Sequence, residues 1–252
     1  MKVHQIVFSA TGGTRRVCEM LVSGMGAESA VTELCVKGDA VRLPVVGEDD
    51  LVIVAMPVFA GRVPAVAVER LRKVKANGAR CVVAVVFGNR AYDDALVELQ
   101  DVATEVGFRV VAAVAAVAEH SIIRKYGAGR PDADDEQVLQ GFGAEIMRKV
   151  QEGSCAVPQV PGNRPYKTPG AVPHPKGRRG CNRCGACAVQ CPVGAIPVDN
   201  PKEVDTSKCI SCMKCVAVCP NGARRIGVVM NFLAMQALKK VCATRKQNEL
   251  YV

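Results

Sequence analysis

The feature that most restricts this chain is a duplicated cysteine run. Cys181-x2-Cys184-x2-Cys187-x3-Cys191-Pro192 returns as Cys209-x2-Cys212-x2-Cys215-x3-Cys219-Pro220, each cysteine 28 residues from its mate. Both runs continue into Gly-Ala, at Gly194-Ala195 and Gly222-Ala223. Three thiolates so closely spaced wrap three irons of one cubane, and the fourth, in the Cys-Pro turn, points to the neighbouring cluster. The spacing therefore predicts two [4Fe–4S] clusters with crossed ligands. Cluster one takes Cys181, Cys184, Cys187 and Cys219, and cluster two takes Cys209, Cys212, Cys215 and Cys191. Structural zinc is the competing reading, but zinc sites space two cysteine pairs widely around one tetrahedral ion.

The other five of the 13 cysteines have no partner in the sequence. Cys18, Cys35 and Cys81 fall at core-facing or strand positions, where a free cysteine behaves as a small hydrophobe. Cys155 sits in a linker and Cys242 near the C-terminus. So many cysteines without a secretory leader point to metal ligation in a reducing compartment, and a cytoplasmic protein is expected. No apolar run reaches the roughly 20 residues of a membrane helix, so no membrane insertion is expected.

The formal charge is +9. Nucleic acid is not the expected partner: the basic residues are scattered, Trp is absent, and Phe and Tyr number only six and four. Each oxidised cluster with its thiolates also brings a charge of about −2.

The first 150 residues alternate apolar runs with helical periodicity. Strands are expected at Val3–Phe8, Ala30–Val36, Leu51–Met56, Arg80–Phe87 and Phe108–Ala118. Helices are expected from Thr14, over Pro64–Ala76, over Tyr92–Val106 and over Asp134–Val150. Uninterrupted apolar strands between helices make a parallel α/β sheet covered on both faces. A Pro/Gly-rich stretch then precedes the cysteines. The expected division is residues 1–152, a linker arm at 153–180, the cluster domain at 181–226, and a C-terminal helix from Val228 to Val241 with a polar tail at the end of 227–252.

Between the first strand and helix lies Ser9-Ala10-Thr11-Gly12-Gly13-Thr14. Backbone N–H groups and hydroxyls in such a loop suit one phosphate at a helix N-terminus. No GxxxxGK and no GxGxxG occurs in the chain, which disfavours NTP and NAD. The loop resembles the FMN phosphate loop of flavodoxins, whose sheet order is 2-1-3-4-5. Two further loops follow the third and fourth strands: Met56-Pro57-Val58-Phe59-Ala60-Gly61-Arg62-Val63-Pro64, and Phe87-Gly88-Asn89-Arg90-Ala91-Tyr92-Asp93-Asp94. With the C-terminal cysteines, and with Gly162-Asn163-Arg164-Pro165-Tyr166 and Glu249-Leu250-Tyr251-Val252, the chain resembles the flavodoxin–ferredoxin fusion proteins of anaerobes. That resemblance implies a five-stranded flavodoxin-like domain followed by a small α+β two-cluster ferredoxin domain.

The resemblance further implies one FMN, held by Ser9, Thr11, Gly12, Gly13 and Thr14 at the phosphate. Pro57, Val58, Phe59, Ala60, Gly61, Gly88, Asn89, Arg90, Tyr92 and Asp93 are the candidates near the ring. Phe59 and Tyr92 are the aromatics to flank the ring, and His120 in Glu119-His120-Ser121 is a candidate proton donor. An electron-transfer iron–sulfur flavoprotein is the leading expectation, with redox proteins as partners. A reductase acting on its own small substrate and a flavin-free scaffold stay open, as does a homo-oligomer. Arg178, Arg179, Lys208 and Lys214 lie beside the cysteines and are candidates to steer an acidic partner.

Overall fold

The computed structural model describes residues 1–38, 40–153 and 156–252; Cys155 lies outside them. Five strands, β1 (Val3–Val7), β2 (Ser29–Glu33), β3 (Leu51–Pro57), β4 (Arg80–Phe87) and β5 (Arg109–Val117), pair in parallel in the order 2-1-3-4-5. β3, β4 and β5 are apolar on both faces because both faces are covered. On one face α1 (Gly13–Met25) and α4 (Ala133–Gln151) bury Val17, Cys18, Leu21, Leu139 and Ile146. On the other, α2 (Ala65–Leu71) and α3 (Ala95–Glu105) bury Ala67, Leu71, Leu96 and Leu99. Cys18, Cys35 and Cys81 are fully buried, as their apolar reading requires. α4 begins with a reciprocal cap in which Asp132 and Asp135 each accept the other's backbone N–H.

The sheet has a sixth strand that the sequence pattern did not indicate. β8 (Glu249–Tyr251) runs antiparallel along β5, and the end of the expected polar tail thus closes a sheet edge. Three residues are too few to show strand periodicity.

The segment before the cysteines lies flat on the α3 face of the sheet domain. Asp94, 2% exposed, accepts the backbone N–H of Asn163 (2.9 Å), the Asn163 side-chain amide (3.0 Å) and the backbone N–H of Lys167 (2.7 Å). Tyr166 Oη donates to Asp101 (2.5 Å), and the Arg62 guanidinium sits 4.7 Å from the Tyr166 ring centre. Gln100 donates to Pro158 O.

The cysteine-bearing unit starts within the expected linker, where β6 (Lys176–Gly177) pairs with β7 (Arg224–Arg225). Its two halves repeat in structure as in sequence. α5 (Ala186–Val189) matches α6 (Lys214–Ala217), and positive φ at Arg183 and Gly185 recurs at Ser211 and Met213. The unit is tied to the sheet domain by Arg70, which donates to Pro192 O (2.9 Å), and by Lys214, which donates to Cys35 O. α7 (Val228–Leu238) follows; its Ala234, Met235 and Leu238 lie on Ile122, Ile123, Tyr126 and Cys242. Among the described residues no helix is long and apolar enough to cross a membrane.

Candidate functional site

The eight cysteines surround two cavities. One is lined by Cys181, Cys184, Cys187 and Cys219, the other by Cys191, Cys209, Cys212 and Cys215. Each Cys-Pro turn thus reaches the opposite run. The Ala195 N–H donates to Cys191 Sγ and the Ala223 N–H to Cys219 Sγ, both at 3.3 Å. Among the described residues no three His, Cys, Asp or Glu side chains converge as ligands of a single ion. The thiols stand around a cavity, which suits a polynuclear core.

Electrostatics supply the test of fit. Arg224 is 2% exposed and, among the described residues, has no carboxylate partner. It donates to Pro201 O (2.5 Å), Pro175 O (3.0 Å) and Glu203 O (3.2 Å), while Nε finds no acceptor. It lies 3.9 Å from Cys187 Sγ and its charge favours the Cys215 thiolate, so it acts on both cysteine sets. A buried guanidinium needs a counter-charge. An anionic iron–sulfur core between the thiols would provide it. Burial raises the thiols of Cys187, Cys209, Cys212 and Cys215, that of Cys215 to about 11 against the lowering effect of Arg224. At neutral pH these ligands are protonated until irons bind and displace the protons. The residues present fit the clusters.

Arg224 was not singled out in the sequence, although the duplication holds a signal for it. Its mate, 28 residues earlier, is the buried Ile196. A charged residue stands where the other repeat has a core aliphatic.

At the C-terminal edge of the parallel strands lies a narrow slot. Ala10, Thr11, Gly13, Thr14, Pro57, Val58, Phe59, Gly88, Glu119 and Ser121 line it. Gly12 holds φ +95° ahead of α1 and, as a glycine, offers no side-chain cap. The Gly13 and Thr14 N–H groups at the start of the helix are therefore left for an anion. Ser9 is not at the slot: its Oγ accepts the Arg15 N–H (3.1 Å) and braces the loop. Beside the slot opens a cavity of about 420 Å³, sharing Val58, Phe59, Phe87, Gly88 and Ser121 with it and adding Ala60, Gly61, Arg90 and His120. A side chain at Gly88 would meet His120 Cα at 2.8 Å, so only glycine lets the two loops pack this closely. A loop with unpaired N–H groups at a helix start, joined to a mostly apolar cavity, suits FMN.

Three of the expected ring-side residues are elsewhere. Tyr92 lines neither cavity; its hydroxyl bonds Glu249 (2.6 Å) and Tyr251 (2.8 Å) on β8. Asn89, 4% exposed, donates to Cys242 O and Thr244 O and accepts from the Lys246 N–H. Asp93 pairs with Arg90 and Lys167. The Gly88–Asp94 loop therefore reads chiefly as a clasp. Asn89 and Tyr92 hold the C-terminal segment, and Asp94 holds the arm through Asn163. The loop and Gly162–Tyr166 thus depend on each other physically.

His120 does face the cavity. Its Nδ1 accepts the N–H groups of Ile122 and Ile123, each at 3.1 Å, which leaves the ring proton on Nε2. Burial, helped by Arg90, holds its pKa below 6.5.

The two sites share a wall. Cys212 lines both the second cysteine cavity and the narrow slot. Ile210 and Ser211 lie between the second cysteine cavity and the 420 Å³ cavity, lining both. The other set is the outer one: Cys184 is exposed, whereas Cys191, Cys212 and Cys215 are buried.

Comparison with known proteins separates the same two parts. Residues 180–223 match the family described as a 4Fe-4S dicluster domain. Over 45 residues the chain is 47% identical to one subunit of the ion-translocating oxidoreductase complex of Methanosarcina acetivorans. That alignment covers 18% of this chain and 17% of its relative, so the chain spans about a sixth of that relative's length. A flavodoxin from the domain Archaea aligns with 60% of this chain and 99% of its own, at 16% identity and a TM-score of 0.46. Megasphaera elsdenii flavodoxin aligns with 57% of this chain and 98% of its own, at 14% identity and a TM-score of 0.40. The strand order itself is flavodoxin-like. The chain has the architecture of a flavodoxin–ferredoxin fusion.

Proposed function

We propose that this protein is an electron-transfer iron–sulfur flavoprotein that holds two [4Fe–4S] clusters and one FMN. The observation that carries this reading is Cys212, which stands in the wall of both the second cysteine cavity and the slot beside the phosphate loop. When bound, the clusters handle single electrons and the flavin one or two. The crossed cysteine sets hold the clusters. Thr11, Gly12, Gly13 and Thr14 hold the phosphate, and Val58, Phe59, Ala60, Gly61 and Gly88 border the ring. Residues 1–152 form the flavin module and the cysteine runs the cluster module, with 153–180 fastening one to the other.

A carrier is favoured over a reductase with its own substrate. The cavity has the volume of one cofactor-sized molecule. The chain itself supplies part of its lining, from Lys167, Gly170–Pro173, Ile210, Ser211, Ala237 and Leu238, so a seated ring would be partly covered by protein. The His120 Nε2 proton is the observation that favours turnover, since among the described residues it is the one imidazole donor lining that cavity.

Anaerobic purification with cofactor extraction tests the proposal. About eight irons, eight acid-labile sulfides and one FMN per chain are expected. One zinc without labile sulfide, or clusters without any flavin, would sink it.

A further inference from the structure

The first two turns of α7 carry the largest run of exposed apolar side chains among the described residues. Val228 is 77% exposed, and Val229, Met230, Phe232 and Leu233 are each more than half exposed. The opposite side already rests on Ile122, Ile123 and Tyr126, so these five side chains have no apolar partner among the described residues. Together they present on the order of 500 Å² of apolar surface, a size that marks an interaction site in a soluble fold. The surface is a convex ridge on a helix.

The charge flanking α7 along the chain has one sign. Between Asp205 and Glu249 there is no acidic residue, but there are eight Lys or Arg. Lys239 and Lys240 follow α7, Arg225 precedes it, and the Arg178 guanidinium reaches the backbone at Gly227. Among the described residues none of these four is paired with a carboxylate.

We infer that α7 is an interfacial helix that seats this protein on an anionic lipid surface, with Val228, Val229, Met230, Phe232 and Leu233 entering the headgroup boundary. Arg178, Arg225, Lys239 and Lys240 meet lipid phosphates around it. An apolar ridge bordered by unpaired cations is what such a surface binds. A second copy is a poorer occupant. An isologous contact would set the same four cations against their equivalents, and the ridge falls short of the roughly 800 Å² per partner of a stable interface. α7 begins four residues after Arg224 at the first cysteine cavity, so lipid binding would hold the outer cluster site beside the membrane.

Flotation of the anaerobically purified full chain tests this. Two vesicle types are used: phosphatidylcholine alone, and phosphatidylcholine with about one third phosphatidylglycerol. Wild type should float with the anionic vesicles at least tenfold more than with the neutral ones, and less as salt rises. Phe232→Glu with Leu233→Glu should lose that binding at least tenfold while iron, sulfide and flavin content stay unchanged. Absence of wild-type binding to the anionic vesicles would overturn the inference, as would equal binding of the variant. So would a wild-type dimer in sedimentation that the double variant abolishes without any vesicle binding, since a second copy would then cover the ridge.

Discussion

At the scale of single residues, Arg224 and Asp94 carry the strongest consequences. Arg224 is a buried cation against Cys187 Sγ, and the net-negative clusters proposed for the two cysteine sets would be its counter-charge. Reduction adds negative charge beside it, so the guanidinium favours the reduced state. Arg224→Gln should lower the potential of the cysteine-bound centres; each 1.4 kcal/mol of lost attraction corresponds to about 59 mV for one electron. Anaerobic redox titration checks this, and an unchanged or raised potential would contradict it. Asp94→Ala removes the acceptor of three N–H groups in a buried place, which should cost roughly 2–4 kcal/mol. Its carboxyl is held below 3.8, chiefly by the Lys167 N–H, so this stabilisation is present above pH 3.8 and is lost as pH falls through the lower folded value. Denaturant titration of wild type and variant measures the difference.

His120 adds a pH signature. Its folded pKa lies below 6.5, so between the two values the unfolded chain binds more protons and stability falls as pH falls. The stability difference between wild type and His120→Gln should be flat above about pH 6.5 and change in favour of the variant toward about pH 5. A difference that is constant over this window would show that His120 is not held neutral.

Legibility in the sequence differs sharply among residues. The cysteines are readable by spacing alone, because cluster geometry dictates their separation. The phosphate loop is readable from its glycines and hydroxyls. Tyr92 and Asn89 are expected beside the flavin because they sit in the right loop, yet their partners lie some 150 residues away in sequence, at Cys242–Tyr251. No local pattern reveals that.

At the scale of elements, the five parallel strands and the helices between them follow from periodicity, since each is long enough to show it. β8 does not, and it is the element that the Gly88–Asp94 loop exists in part to hold. Val117 N–H donates to Asn248 Oδ1 (2.9 Å), Arg130 donates to Lys246 O (2.7 Å), and Asn248 donates to Asp135. Deleting residues 247–252 frees the edge of β5 and removes both partners of the Tyr92 hydroxyl. The truncated chain should unfold at a visibly lower denaturant midpoint, by about 3 kcal/mol or more. Retention of wild-type stability would mean that β8 is ornamental. The crossing of the cysteine runs is also an element-scale claim. Cys219→Ala should disturb the centre held by Cys181, Cys184 and Cys187, and Cys191→Ala the other; spectroscopy of the two variants distinguishes crossed from uncrossed ligation.

At the scale of the whole molecule, the Pro-rich arm is a fastening with its own hydrogen bonds to α3. Arg70 and Lys214 then lock the cysteine-bearing unit to the sheet domain. Lys214, expected among the residues that steer an acidic partner, is spent on that contact, and Lys208 is paired with Asp205 (3.2 Å). Arg178 and Arg179 remain exposed beside the outer cysteine set. The inner cysteine set and the slot proposed for the flavin share a wall, Cys212, within one chain. The direct measurement is rapid reduction of the holoprotein's clusters, followed by the loss of flavin absorbance over a dilution series. A rate independent of protein concentration is expected. A rate proportional to concentration, or no flavin reduction at all, would contradict the claim.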